Sequence, residues 1–139
     1  MKIKVFSELT IQSFRTDKLY AVISIQDPDY DFVKLYRPKN CKGTSKYKFY
    51  DFDAKTNQQI YDLYLFSTKD AKNILKFVDA MKDKVDLICV NCVAGISRSA
   101  GVAGAISKIL NNNDEYFFKN YCPNMLVYST ILKEYYAQK

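Results

Sequence analysis

The order of apolar and polar residues along the chain predicts four strands. Residues 1–9 begin with an alternation of apolar and polar side chains, which indicates a strand. Residues 19–25 and 85–91 are mostly apolar and rich in Val and Ile, which is typical of buried strands. A fourth strand is predicted over residues 47–53, where an aromatic run ends in two aspartates. We expect the run at 85–91 to be a central strand.

Helical spacing of apolar residues begins in the second half of the chain. Ser67 and Asp70 form a capping-box pattern, and the apolar residues that follow predict an amphipathic helix over residues 68–83. Residues 99–110 are small and apolar nearly all round, which is typical of a buried helix. The other predicted segments are a polar connection or short helix at 10–18, loops at 31–46 and 54–59, a short aromatic segment at 115–121 and a last helix from residue 125.

Strands that precede helices, with a strand again between two helices, indicate an α/β fold. We expect a central mixed sheet flanked by helices, with a loop at the carboxyl end of a central strand. The length of 139 residues suits a single domain, residues 1–139, with one core. The apolar fraction of 48% is ordinary for a globular protein and is enough to build such a core.

Charge and cysteine content exclude several classes of protein. The net charge of +6 is a mild lysine excess, which more often serves solubility than nucleic-acid recognition, so we expect no nucleic-acid partner. No apolar run is long enough to span a bilayer, and no hydrophobic segment follows the charged N-terminus, so we expect neither a membrane protein nor a signal peptide. The four cysteines are too scattered for a disulfide scaffold, and with no histidine a zinc site is not expected.

A tight loop that starts at Cys92 joins the strand at 85–91 to the helix at 99–110. A loop in this position directs backbone N–H groups and the positive end of the helix dipole at one point, where an anion can bind. Such a place also favours the thiolate form of a cysteine, which is the nucleophilic form. Because the loop carries a thiol at one end and Arg98 at the other, the pattern predicts phosphoryl transfer through a cysteine.

Arg98 and Ser99 support this prediction. A guanidinium presents a planar fork that holds two phosphate oxygens, whereas a lysine supplies only the charge. The chain has three arginines among its 21 basic residues, so an arginine at this position is informative. The Ser99 hydroxyl can hydrogen-bond the Cys92 sulfur and favour the thiolate, both as nucleophile and as leaving group.

The segment Cys92–Ser99, CVAGISRS, resembles the signature loop of cysteine-based protein phosphatases, and its AG and SRS details are similar to the dual-specificity branch. The resemblance implies that Cys92 is the nucleophile, that Arg98 clamps the phosphate, and that a phosphocysteine forms without a metal or other cofactor. It also implies a substrate-binding cradle made by Val93, Ala94, Gly95, Ile96, Ser97 and Arg98. The chain departs from the family in one place, since Asn91 stands where the family usually has histidine.

A second site element is predicted at the end of the strand over residues 47–53. The resemblance implies a general acid, an aspartate, on a loop that follows such a strand, because the departing oxygen must be protonated. Asp51 and Asp53 share one face of a strand, so either could reach the site. Asp51 is the better match to the family and is the residue we predict. Aspartates at strand ends also commonly cap turns, which is the structural alternative for both.

The substrate that the resemblance implies is a phosphorylated protein or peptide. Lipid phosphatases of the wider family tend to carry basic residues inside the loop, and this loop has no lysine, so phosphotyrosine is expected, with phosphoserine and phosphothreonine as further candidates. A nucleophilic thiol suits a reducing cytoplasm. The abundance of Lys, Asn, Ile and Tyr is typical of an AT-rich genome and favours a bacterial or viral protein.

Three alternatives stay open. Asn91 in place of histidine is compatible with a catalytically weak, phosphate-binding pseudophosphatase that acts as an interaction module. Cys89 and Cys92 form a Cys-x-x-Cys pair, which in redox proteins opens a helix, although here the first cysteine falls inside the strand. Cys92 could also be a buried structural cysteine. The retained Cys92, Arg98 and Ser99 favour the phosphatase.

Overall fold

Four parallel strands form the centre of the fold in the computed structural model, which describes residues 1–53 and 64–138. The strands are β1 (Lys2–Ser7), β2 (Tyr20–Gln26), β3 (Cys41–Lys48) and β4 (Leu87–Cys92). Their order across the sheet is β1-β4-β2-β3, so β4 lies between β1 and β2. Because all pairings are parallel, the carboxyl ends of the four strands lie at one edge of the sheet.

Helices cover the sheet on both faces, and they are α1 (Glu8–Ser13), α2 (Thr68–Met81), α3 (Arg98–Asn111), α4 (Glu115–Asn120) and α5 (Met125–Ala137). The predicted capping box is present at the start of α2, where Ser67 accepts from the Asp70 N–H and Asp70 accepts from the Ser67 N–H. None of the helices in the described residues has both the length and the apolar character that a membrane crossing requires.

Side chains of β4 alternate between two hydrophobic clusters of different size. Val90 and Cys92 face the larger cluster, which packs against α2, α3 and α5. Cys89 faces the smaller cluster, which is closed by Ile11 of α1. This alternation follows from the pleat of a strand, in which successive side chains point to opposite faces. Since β4 is buried on both faces, its sequence is apolar at every position except Asn91, as is typical of strands in parallel sheets.

The close approach of α3 and α5 depends on a glycine. A Cβ atom at Gly101 would lie 2.7 Å from the Asn124 carbonyl oxygen and 3.1 Å from the Val127 side chain. The small residues of α3 therefore bring the residues just before α5 next to Ser97, at the end of the loop that joins β4 to α3.

The expected α/β sheet flanked by helices is confirmed, but two details differ from the sequence-based expectation. Every pairing among the described strands is parallel, whereas a mixed sheet was predicted. Helices or a long loop separate consecutive strands, and such connections return the chain to the same end of the sheet.

The second difference concerns β3, which begins at Cys41 within the predicted loop at 31–46 and ends at Lys48, before the predicted end at residue 53. This edge strand exposes lysines at alternate positions and half-buries small polar residues between them, so it lacks the apolar pattern of a strand. The loop predicted at 54–59 lies outside the described residues.

Candidate functional site

The candidate site lies at the carboxyl edge of the sheet, where residues 93–97 join β4 to α3. Cys92 is the last residue of β4 and is 2% exposed. Arg98 and Ser99 are the first two residues of α3 and are also buried. The thiol therefore stands near a helix N-terminus, whose unpaired N–H groups and dipole favour a negative charge.

Two groups contact the Cys92 sulfur. The Gly95 N–H donates to Sγ at 3.3 Å, and the Ser99 hydroxyl lies 3.1 Å from the same atom. Hydrogen-bond donors aimed at a sulfur favour its anionic form over the neutral thiol. This buried thiol thus has a polar, donor-lined environment, although the strand that carries it is otherwise apolar.

Gly95 gives the loop its shape. Its φ of +70° lies in the left-handed region, where a side chain is strained. A Cβ atom would also lie 2.6 Å from the Ser7 nitrogen and 2.8 Å from the Phe6 oxygen at the end of β1. The loop is fixed to the same place by the Glu8 N–H, which donates to the Val93 carbonyl at 3.2 Å. The loop can close over the sulfur only because residue 95 has no side chain.

The other loop residues form the rim of the site. Val93 and Ser97 are half-buried, whereas Ala94 and Ile96 are exposed. The backbone N–H groups of Ala94, Ile96 and Ser97 carry no hydrogen bond within residues 1–53 and 64–138. They are the groups that an anion above the sulfur could bind.

Arg98 is held beneath this rim by two acceptors. Its Nη1 donates to Asp27 Oδ1 at 2.7 Å and to the Phe49 carbonyl oxygen at 2.7 Å. The Arg98 side chain is 6% exposed and that of Asp27 is 30% exposed. A guanidinium that is desolvated to this degree requires such partners, because an unpaired buried charge is costly.

Asp51 lies against the loop, whereas Asp53 does not. Asp51 Oδ1 accepts from the Ser97 hydroxyl at 2.8 Å and from Asn124 Nδ2 at 2.8 Å. Asp53 Oδ1 instead accepts from the Met125 N–H at 2.9 Å, at the start of α5. Asp51 therefore contacts the loop, whereas Asp53 binds an N–H at the start of a helix instead of capping a turn.

Two residues that hold the site together were not predicted from the sequence. Asn124 is fully buried and caps α5 with its side-chain oxygen. Its side-chain amide donates to Asp51 and to the Phe52 carbonyl. Its backbone N–H donates to the Ser97 carbonyl at 2.9 Å. Asp27 contacts Arg98 although the two are far apart in the chain. In the sequence, Asn124 lies at the break before α5 and Asp27 lies in the turn after β2. Local structure is enough to explain both residues there, Asn124 as a helix cap and Asp27 as a turn residue.

Asn91 and Cys89 lie on the other face of β4, away from the sulfur of Cys92. Asn91 is fully buried, and neither polar atom of its side chain has a hydrogen-bond partner among the described residues. The same holds for the hydroxyl of Ser24, its neighbour on β2. Burial raises the pKa of the Cys89 thiol to about 12. Because Cys89 and Cys92 point to opposite faces, they cannot act as one redox pair.

No protein-family model matches the sequence, and no curated protein matches it. Among solved structures, the fold is similar to that of a human tyrosine phosphatase-like serine/threonine/tyrosine-interacting protein. The two share 18% sequence identity with a TM-score of 0.58, over 86% of this chain and 78% of the other. At this identity the likeness establishes a phosphatase-like α/β fold, and the bacterial or viral origin stays a prediction.

Proposed function

We propose that the chain is a cysteine-dependent protein phosphatase, folded as one domain over residues 1–139, that hydrolyses phosphotyrosine. Phosphoserine and phosphothreonine are further candidate substrates. The observation that carries the proposal is the environment of the Cys92 sulfur, which lies near the N-terminus of α3 with the Ser99 hydroxyl at 3.1 Å and the Gly95 N–H at 3.3 Å. A buried cysteine with a purely structural role has no need of such donors.

In the first step the Cys92 thiolate attacks the phosphorus of the substrate. The S–P bond forms, and the bond from phosphorus to the tyrosine oxygen breaks. Asp51, in its protonated form, gives its proton to the departing oxygen, so the products are a phosphocysteine and a neutral phenol. Asp51 is proposed for this role rather than Asp53, because its carboxylate is the one that contacts the loop through Ser97.

In the second step a water molecule attacks the phosphocysteine. Asp51, now ionised, takes one proton of the water, the P–O bond forms, and the S–P bond breaks. The electron pair returns to sulfur, and the Ser99 hydroxyl at 3.1 Å stabilises the departing thiolate. The products are inorganic phosphate and the starting enzyme.

Phosphate binding is proposed for Arg98 and for the backbone of residues 93–98. The N–H groups of Ala94, Ile96 and Ser97 supply donors, and the guanidinium of Arg98 supplies a charged fork. In the transition state the negative charge of the phosphoryl group lies on its non-bridging oxygens. The donors of the loop and of Arg98 stabilise that charge directly. The chemistry requires no metal or other cofactor.

The proposed substrate is a phosphorylated protein or peptide in the cytoplasm. Between Cys92 and Arg98 the loop has apolar side chains at Val93, Ala94 and Ile96, and Ile96 is 50% exposed. An apolar rim with no lysine lacks the charges that would hold the additional phosphates of a phosphoinositide. An aromatic ring, by contrast, fits beside an exposed isoleucine.

A phosphate-binding module without turnover is the second candidate. The observation in its favour is the side chain of Asn91, which lies on the opposite face from the sulfur and has no hydrogen-bond partner within residues 1–53 and 64–138. It therefore gives the thiolate none of the support that the resemblance assigns to a histidine at this place.

Hydrolysis of para-nitrophenyl phosphate, with and without a chelator, distinguishes these candidates. A phosphatase turns over equally well in both conditions and is inhibited by orthovanadate, which mimics the transferring phosphoryl group. A pseudophosphatase binds orthovanadate but releases no nitrophenol. Activity that the chelator abolishes would contradict a metal-free cysteine mechanism.

A further inference from the structure

We propose that Asp27 is a positioning residue that presents the Arg98 guanidinium to phosphate. This inference rests on the proposed function, because it takes Arg98 as the phosphate clamp. The contact between Arg98 Nη1 and Asp27 Oδ1 is 2.7 Å long, and it joins a buried guanidinium to a partly exposed carboxylate. A charge-assisted bond of this length fixes the orientation of the planar fork.

The contacts of Arg98 occupy one nitrogen and leave the others free. Nη1 has two hydrogens, and Asp27 and the Phe49 carbonyl take one each, both at 2.7 Å. Neither Nε nor Nη2 has a hydrogen-bond partner in the described part of the chain. These two nitrogens form the edge of the guanidinium that can hold two oxygens of one phosphate side by side. Asp27 therefore holds Arg98 by the edge that phosphate does not need.

Asp27 is itself held firmly. Its N–H donates to Gln26 Oε1 at 2.8 Å, and its carbonyl accepts from the Tyr30 N–H at 3.1 Å. The Gln26 side chain is buried, and its Nε2 donates to the Asp31 carbonyl at 3.0 Å. The turn that follows β2 is thus tied down on both sides of Asp27, which is the condition for one residue to orient another.

The carboxylate has two opposing effects on phosphate binding. It orients Arg98, which strengthens binding, and it adds a negative charge near the site, which weakens the binding of an anion. We expect orientation to dominate, because Asp27 and the Phe49 carbonyl share Nη1 and leave the Nε–Nη2 edge open. A misplaced clamp costs a reaction roughly 10²-fold, and this sets the expected magnitude.

The test compares Asp27→Ala and Asp27→Asn with Asp31→Ala, a matched control that removes a carboxylate from the same turn without touching Arg98. The probes are the affinity of tungstate by calorimetry and the kcat and KM for para-nitrophenyl phosphate. We expect Asp27→Ala to weaken tungstate binding and lower kcat by about 10- to 100-fold. Asp27→Asn keeps an oxygen acceptor and should lose less, and Asp31→Ala should match the wild type.

A double-mutant cycle separates positioning from general stability. In an Arg98→Ala background, Asp27→Ala should neither weaken tungstate binding nor lower kcat any further, because the group it positions is gone. Tungstate binding in that background should only become tighter, because the negative charge of Asp27 is removed. An equal loss in that background would overturn the proposal, as would tighter or unchanged tungstate binding in a folded Asp27→Ala protein. If Asp27→Ala does not fold, unchanged tungstate affinity in Asp27→Asn overturns it. If the wild-type protein binds tungstate but does not hydrolyse para-nitrophenyl phosphate, only the proposed hydrolysis is refuted. The tungstate affinities of the variants still test the role of Asp27.

Discussion

Cys89 and Cys92 lie on the same strand and are both buried, yet their surroundings differ completely. Cys89 points into the smaller cluster among Phe6, Val22 and Leu87, where burial raises its pKa to about 12. Cys92 points to the other face, where the strand ends and a backbone N–H and a hydroxyl contact its sulfur. Burial by itself keeps the Cys89 thiol protonated, whereas the Cys92 sulfur lies beside a backbone N–H and a hydroxyl at the end of the strand.

The same comparison applies to the polar residues on the two faces. Ser99 contacts the sulfur, and Asn124 contacts both the loop and Asp51. On the other face the side chains of Ser24 and Asn91 are buried with no hydrogen-bond partner in the described part of the chain. Polar groups on the site face are therefore satisfied by one another, whereas those on the opposite face reduce stability.

The largest expected effect is the difference between the two cysteines. Cys92→Ser should lower turnover by at least about 10⁴-fold, because it removes the nucleophile, and should still bind tungstate through Arg98 and the loop. Cys89→Ser should keep nearly full activity. A pKa raised to about 12 leaves the Cys89 thiol protonated throughout the neutral range, so its removal should not change the pH profile. Equal inactivity of the two variants in reducing buffer would refute the assignment of Cys92 as the single nucleophile.

The next effect separates the two aspartates. Asp51→Asn should lower kcat by roughly 10²- to 10⁴-fold, the usual contribution of a general acid. The loss should be larger for an alkyl phosphate than for para-nitrophenyl phosphate, because a poor leaving group depends more on its proton.

Asp53→Asn is the matched control, since this carboxylate caps α5 and does not contact the loop. Because asparagine keeps an oxygen acceptor for the Met125 N–H, this variant should leave stability nearly unchanged and kcat within a few-fold of the wild type. A larger loss of kcat in Asp53→Asn than in Asp51→Asn would reverse the assignment.

The smallest effects come from two serines on opposite faces of the sheet. Ser99→Ala removes the hydroxyl beside the sulfur and should lower kcat by about 10²-fold, chiefly in the breakdown of the phosphocysteine.

Ser24→Ala removes a buried hydroxyl that has no partner among the described residues. It should raise the free energy of unfolding by about 1 kcal/mol and leave activity unchanged. Denaturant unfolding and steady-state kinetics measure both. A destabilised Ser24→Ala protein would show that this hydroxyl has a partner.

The local parts of the site could be predicted from the sequence, because they depend on residues close together in the chain. Cys92, Gly95, Arg98 and Ser99 lie within one strand–loop–helix unit, and its geometry follows from the apolar run before it and the small residues after it. The face occupied by Asn91 also follows from simple alternation along β4.

Contacts between distant segments could not be predicted in this way. Asp27 meets Arg98 because the parallel sheet brings the carboxyl ends of its strands to one edge. Asn124 meets Asp51 because the close packing of α3 and α5 brings Asn124 to the same edge. Which of Asp51 and Asp53 faces the loop depends on the path of the chain after β3, and alternation alone leaves that choice open. The start of β3 was missed because an exposed edge strand needs no apolar pattern.

Trapping the phosphorylated enzyme tests the central claim most directly. Wild-type protein mixed with a phosphotyrosine peptide and quenched within milliseconds should carry one phosphoryl group, and mass spectrometry of its fragments should place that group on Cys92. Cys89→Ser should carry the same group at the same residue, and Ser99→Ala should accumulate more of it, because its breakdown is slower. Turnover without any phosphorylated enzyme, or a phosphoryl group on another residue, would contradict the mechanism.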